Sequence, residues 1–155
     1  MGSRERVAEY LSKVGLKVEM REFDESTRNS ALAAQALGCT VAEIAKSVVF
    51  VGSGTAVVII SGDKKVDGSK LSKATGEEMR LATPSEVRDR TGFPIGGVPP
   101  FPHDEGVLIY PDESLNRFRE VWAAAGTPNA VFRIGASDLV RHVGRGPFDL
   151  ATVQG

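Results

Sequence analysis

Cysteine is nearly absent from this chain of 155 residues: Cys39 stands alone, so no internal disulfide can staple the fold. Histidine is almost as scarce. His103 and His142 lie a whole supersecondary unit apart, and with one cysteine they leave no ligand spacing for a closed zinc site. No Gly-x-Ser-x-Gly elbow occurs; the nearest pattern, Gly52-Ser53-Gly54, sits between two strand-like runs and reads as a turn. Long apolar stretches are missing too. The longest, Ala56 to Ile60, falls far short of the roughly 20 residues a membrane helix needs. The charged N-terminus leads into an amphipathic stretch and not into an apolar signal segment, so a cytoplasmic protein with no membrane partner is expected. Neither sign of charge dominates, because 19 Lys and Arg face 20 Asp and Glu for a net charge of −1. That balance excludes a general polycation that grips nucleic acid anywhere, while leaving room for a local basic patch. No cofactor and no metal are expected.

What is present suffices for one core. With 155 residues and 41% hydrophobic composition, a single domain over residues 1–155 is expected, and a chain of this size buries roughly 70% of its unfolded surface. Ser3 is a candidate cap for a first helix that carries Val7, Tyr10, Leu11 and Val14 on one face and stops at Gly15. Lys17 to Phe23 alternates as a half-buried strand, helix resumes over Ser30 to Leu37 with Gly38 as its stop, and Thr40 with Glu43 forms a capping-box pattern. The clearest strands are Lys46 to Val51 and Thr55 to Ser61, β-branched runs joined as a hairpin. Asp67 opens a short helix to Ala74, and Met79 to Ala82 reads as a strand. Thr83-Pro84-Ser85-Glu86 combines a cap, a proline at the first helical position and the reciprocal glutamate of a helix that Gly92 ends. After a loop from Gly92 to Gly106, strands are expected over Val107–Tyr110, Glu120–Ala124 and Ala130–Ile134. Short helices are expected over Glu113–Phe118 and from a Ser137 cap to Val143. The class is α/β in the mixed α+β sense: a central, mixed, mostly antiparallel sheet of about six or seven strands with flanking helices.

Three features carry chemistry. Lys46 starts a buried strand among Ala45, Val48 and Phe50, so its ammonium is either held near the core for an anion or snorkels to water. The loop Gly96-Gly97-Val98-Pro99-Pro100 joins residues that permit unusual φ to residues that fix it. Such a backbone is either a stiff crossover or a set of pre-organised amides that approach an oxyanion or phosphate. His103, three residues on, either meets a ligand or sits on a surface loop. Lys64, Lys65, Lys70 and Lys73 share the stretch from Asp63 to Lys73 with only Asp63 and Asp67 as acids, a local excess of two positive charges. The patch is a solvated helix face or a contact for an RNA backbone; without interleaved aromatics it positions RNA and does not read bases.

Four segments, in order, add a likeness: IAKSVVF (Ile44 to Phe50), VVIISGDKKVDGSKLSKATG (Val57 to Gly76), TPSEVRDRTGFPIGGVPPFPH (Thr83 to His103) and AAGTPNAVFRIGASDL (Ala124 to Leu139). Over almost its whole length the chain resembles the YbaK/prolyl-tRNA-editing domain family, relatives of the editing insertion domain of bacterial prolyl-tRNA synthetase. The resemblance implies an enzyme, a trans-editing deacylase that hydrolyses the ester between a wrong, small amino acid and proline tRNA or a related tRNA. It implies a catalytic set of Lys46, Gly96 and Gly97, since Lys46 matches the family's functional lysine and Gly96 to Pro100 its Gly-x-x-x-Pro loop. Around the substrate it places Val98, Pro99, Pro100, His103 and Gly126, and on the tRNA Lys64, Lys65, Lys70 and Lys73. In such members water attacks the ester carbonyl, helped by the terminal ribose hydroxyl, and no side chain is the nucleophile. Aminoacyl-tRNA is the implied partner, with a synthetase as a second. Two positions depart from the pattern: Pro102 stands where many relatives have glycine, and Ala124 where some place a serine. The rival reading is a non-catalytic module that binds tRNA ends, aminoacyl-nucleotides or a synthetase through the same cleft.

Overall fold

The computed structural model describes residues 2–24 and 29–153. Helix α1 (Ser3–Lys13) buries Val7 and Leu11, and strand β1 (Glu19–Glu22) follows, shorter than the alternation from Lys17 suggests. Ser3 is the first helical residue and not the cap; Gly2 holds that position with no side chain to offer. Helix α2 (Ser30–Leu37) is capped by Asn29, whose side chain accepts the Leu32 amide at 2.9 Å, and it ends on Gly38 in the left-handed conformation. The box at Thr40 forms, with its amide and hydroxyl both donating to the Glu43 carboxylate. It frames only a 3-10 turn, because strand β2 (Ile44–Val51) begins at once.

Strand β3 (Thr55–Ser61) is buried at every residue and pairs antiparallel with β2 from Ala45↔Ser61 to Val51↔Thr55. Helix α3 (Gly68–Thr75) is capped by Asp67, and strand β4 (Arg80–Leu81) shrinks to two residues. Helix α4 (Pro84–Thr91) starts with the expected Thr83–Glu86 box and stops at Gly92. Strand β5 (Val107–Pro111) leads into a 3-10 turn over Glu113–Arg117, tighter than the expected helix: the Leu115 and Phe118 amides donate to the carbonyls three residues back, Asp112 and Leu115, and buried Asp112 caps the turn by accepting the Ser114 amide. Strands β6 (Glu120–Ala124) and β7 (Ala130–Gly135) lie close to their sequence bounds. Helix α5 (Ala136–Val143) begins one residue before Ser137, which therefore lies in its first turn and does not cap it.

The strands form one seven-stranded sheet in the order β1-β7-β6-β2-β3-β5, with β4 on the far end of β2. Pairing is antiparallel except for β2 with β6 and β3 with β5, the mixed and mostly antiparallel sheet expected from the hairpin. Side chains alternate across it. Ala45, Val49, Val57 and Ile59 pack with α1, α5, Phe93 and Phe132 on one face, and Ala56, Val58 and Ile60 pack with Leu71, Tyr110 and Leu150 on the other. Helix α2 covers a smaller cluster of Ile44, Trp122 and Val131. No helix of the described residues is long and apolar enough to cross a membrane.

Candidate active site

Strand β2 meets β6 only at Ile44↔Trp122 and Ala45↔Ala123, and it meets β4 only at Phe50↔Leu81 and Val51↔Arg80. Between these contacts the sheet is split. An open cleft of about 540 Å³ occupies the split, walled by Lys46 and Ser47 of β2, Trp122 to Ala124 of β6, the start of α2, Gly62, and the loop residues Ile95, Gly96 and Val98.

Lys46 is half-buried, and its Nζ lies 3.5 Å from the Gly62 carbonyl, at the limit of a hydrogen bond. Burial pushes its ammonium below the usual lysine range; Asp63 acts in the opposite sense, and Lys65 adds to the depression. Asp63 does not neutralise Lys46 outright. Its carboxylate takes a two-point grip from Arg117, at 2.7 and 3.1 Å, which also holds its own pKa down. A cation with one long hydrogen bond therefore faces the cleft, with Lys65 within electrostatic reach.

The two neighbouring glycines have different roles. Gly96 adopts φ +82°, lines the cleft, and its amide, like that of Val98, has no acceptor among the described residues. Gly97 does not line the cleft. Its amide donates to the Pro94 carbonyl at 2.9 Å, and a Cβ there would lie 2.8 Å from Thr127 Cα. Its lack of a side chain thus seats the loop against the turn after β6. Gly126 is similar: at φ +102° it packs where a Cβ would strike the Ser3 carbonyl, away from the cleft.

His103 lies behind the loop. Its Nε2 donates to the Pro99 carbonyl at 2.7 Å, and the ring stands edge-on to Phe93 at 5.6 Å. It lines a second cavity of about 290 Å³ with Tyr10, Pro100, Phe101, Pro102 and His142, where Tyr10 Oη and His142 Nε2 are 2.6 Å apart. The Phe101–Pro102 peptide there is cis. Of the lysine patch, Lys70 is engaged within the fold, its Nζ donating to Asp149 at 2.8 Å and to the Ala151 carbonyl at 2.7 Å. Lys64, Lys65 and Lys73 make no ion pair among the described residues.

The sequence reading missed Ser47, Gly62, Trp122 and the start of α2 as cleft walls. Ser47 adjoins Lys46 and was within reach; Gly62 is a wall because Val41 and Ser30 close on it, which no local pattern reports.

The aminoacyl-tRNA editing domain profile matches residues 24–142, and so spans the cleft and its loop. The chain belongs to that family. Editing by such a domain removes a wrongly attached amino acid from tRNA, so the protein is an aminoacyl-tRNA deacylase. A crystal structure of a candidate trans-editing enzyme for prolyl tRNA synthetase superposes on this editing domain with TM-score 0.90, at 41% identity over 99% of both chains. YwhH of Bacillus subtilis is 36% identical over 123 residues, 78% of each chain. EbsC of Enterococcus faecalis, a candidate Cys-tRNA(Pro)/Cys-tRNA(Cys) deacylase, is 26% identical over 117 residues, 71% of each.

Proposed function

We propose that this editing domain acts in trans on proline tRNA that carries a small, wrong amino acid, and that water is the nucleophile. The observation that carries the reading is the composition of the cleft: Lys46 lines it with Gly96 and Val98, whose amides are unpaired, and among the described residues its lining contains no Cys, His, Asp or Glu. An aminoacyl ester is already activated, so orientation of water and stabilisation of the oxyanion suffice. In this reading the Gly96 and Val98 amides receive the developing oxyanion, and Lys46 pairs with the terminal nucleotide's phosphate. Gly97 and His103, with Pro99 and Pro100, hold the loop in that shape. Gly126 holds the turn behind it. The terminal ribose hydroxyl helps direct the water, as the family resemblance implies.

Alanines at 45, 123 and 124 give the acyl side of the cleft a short apolar wall, which in this reading receives a small side chain. Lys65, Lys64 and Lys73 extend the positive charge of Lys46 along the tRNA backbone. With a net charge of −1, tRNA affinity is modest, and a synthetase that already holds the tRNA is the partner that fits, in the cytoplasm where charging occurs.

Catalytic amounts of the protein added to Ala-, Cys-, Ser- and Thr-charged tRNAs, each on its own tRNA and on proline tRNA, test the reading. Release of at least one small amino acid from proline tRNA, faster than from its own tRNA, is expected. Release from every tRNA at the buffer rate would refute it.

A further inference from the structure

The split beside Lys46 exposes main-chain groups whose direction the ladder fixes. Ile44 C=O accepts Gly62 N–H at 2.8 Å, so even-numbered residues of β2 bond to β3, and Ala45, Ser47 and Val49 turn their N–H and C=O to the other edge. There Ala45 is in register with Ala123, and Val49 C=O accepts Ala82 N–H at 2.9 Å. Ser47 lies between them with no strand opposite. On β6, Ala125 N–H donates to Ala130 C=O at 2.9 Å, which turns Ala124 toward β2. The parallel register stops at Ala45↔Ala123, one step before Ala124 C=O would reach Ser47 N–H. The Ser47 hydroxyl is buried and has no hydrogen-bond partner among the described residues.

Ser47 and Ala124 both line the cleft that holds Lys46 and Gly96. The opening thus has Ala124 C=O and Ser47 C=O as main-chain acceptors beside one donor, Ser47 N–H, with the buried, unpartnered Ser47 Oγ as a third acceptor in its wall. An α-ammonium has three donors, and in an amino acid its carbonyl oxygen follows three bonds away. Side chains of consecutive strand residues leave on opposite faces, and the Lys46 ammonium lies by the Gly62 carbonyl, so within the cleft it does not occupy these acceptors.

Resting on the deacylase reading, we propose that the split between β2 and β6 is the amino-group subsite. The substrate's α-ammonium donates to Ala124 C=O and to the carbonyl and hydroxyl of Ser47, while its ester carbonyl faces the Ser47 and loop amides. The site then recognises any small amino acid by its backbone, and the enzyme requires a free α-amine. Buried acceptors deprived of a charged donor are costly, which makes the amine a selection element and not a spectator.

Deamination of an aminoacyl-tRNA with nitrous acid replaces the amine by a hydroxyl of nearly the same size, giving an α-hydroxyacyl ester. Because the ammonium itself activates the ester, each enzymatic rate is divided by the uncatalysed rate of the same ester. This acceleration is expected to fall about tenfold or more from amine to hydroxyl in the wild type, the loss of one charge-assisted contact set. Ser47→Ala is expected to lower it for the amine alone, and Ser47→Thr to restore most of it. Equal acceleration of both esters by the wild type would overturn the amino-group subsite and leave the deacylase reading standing. No acceleration of any aminoacyl ester would overturn both.

Discussion

His103 Nε2 donates to the carbonyl of Pro99, four residues earlier, at 2.7 Å. Because a carbonyl only accepts, Nε2 carries the proton, and Nδ1 is left buried and unpaired among the described residues. The bond ties the second half of the loop to its first and sets the loop from the side opposite the cleft. His103 is therefore a positioning residue.

His103→Ala should lower kcat several-fold with KM nearly unchanged, and His103→Gln, which can still donate to Pro99, should recover part of it. A wild-type kcat in a folded His103→Ala protein would remove the loop-positioning role.

A pH dependence of stability follows from the same residue. Burial pushes the His103 imidazole below its usual range, opposed by the Pro99 bond; Arg6 pushes further down and Asp104 pushes up. Burial also lowers His142. A group whose folded pKa is depressed favours the neutral folded form, so stability is complete above the unfolded value of about 6.5 and falls as pH drops below it. The thermal midpoint should decline between pH 7 and pH 5, and the slope should be shallower in His103→Gln. An identical slope in the two proteins would contradict the linkage.

Gly97→Ala is expected to lose activity and stability together, because its Cβ would press on the main chain of Thr127, which cannot swing aside. Overpacking of this kind costs about 1–3 kcal/mol. Chemical denaturation of the variant checks it. Full stability with lost activity would return Gly97 to the amide role that the sequence suggests.

The difference between the two glycines marks where the sequence stops being legible. Caps, stops and β-branched runs are local, and the Thr83–Glu86 box, the Gly38 stop and the β2–β3 hairpin appear where the pattern puts them. The lysine and the glycine loop were legible because each is a short run with unusual chemistry. What was not legible depends on partners far along the chain. Thr127 decides what Gly97 does, Asp149 engages Lys70 from 79 residues away, and the parallel β2–β6 contact creates the split that exposes Ser47.

The lysine patch should therefore divide. Lys70→Ala is expected to lower the thermal midpoint by loosening the C-terminal segment, with the salt dependence of activity unchanged. Lys65→Ala should raise KM, leave kcat and the midpoint nearly unchanged, and reduce the slope of log affinity against log salt by about one if it meets one phosphate. Salt slopes measured for both variants decide between them. A reduced slope in Lys70→Ala and an unchanged one in Lys65→Ala would invert the assignment.

Lys46 gives the sharpest separation of activity from stability. Its ammonium is half-buried, its one hydrogen bond is 3.5 Å long, and burial already disfavours its charge. Replacing it removes a desolvated cation and breaks no strong contact, so Lys46→Ala should keep or slightly raise the thermal midpoint. Deacylation should nevertheless fall by about two orders of magnitude, about 3 kcal/mol of transition-state stabilisation, because the phosphate loses the charge that fixes the ester against the loop amides. Lys46→Arg should recover only part, since a planar guanidinium does not reproduce a compact charge beside Gly62. Single-turnover rates on the best substrate, with melting curves for each variant, check all three statements. A folded Lys46→Ala protein with wild-type kcat/KM would show that neither positioning nor electrostatics depends on that charge.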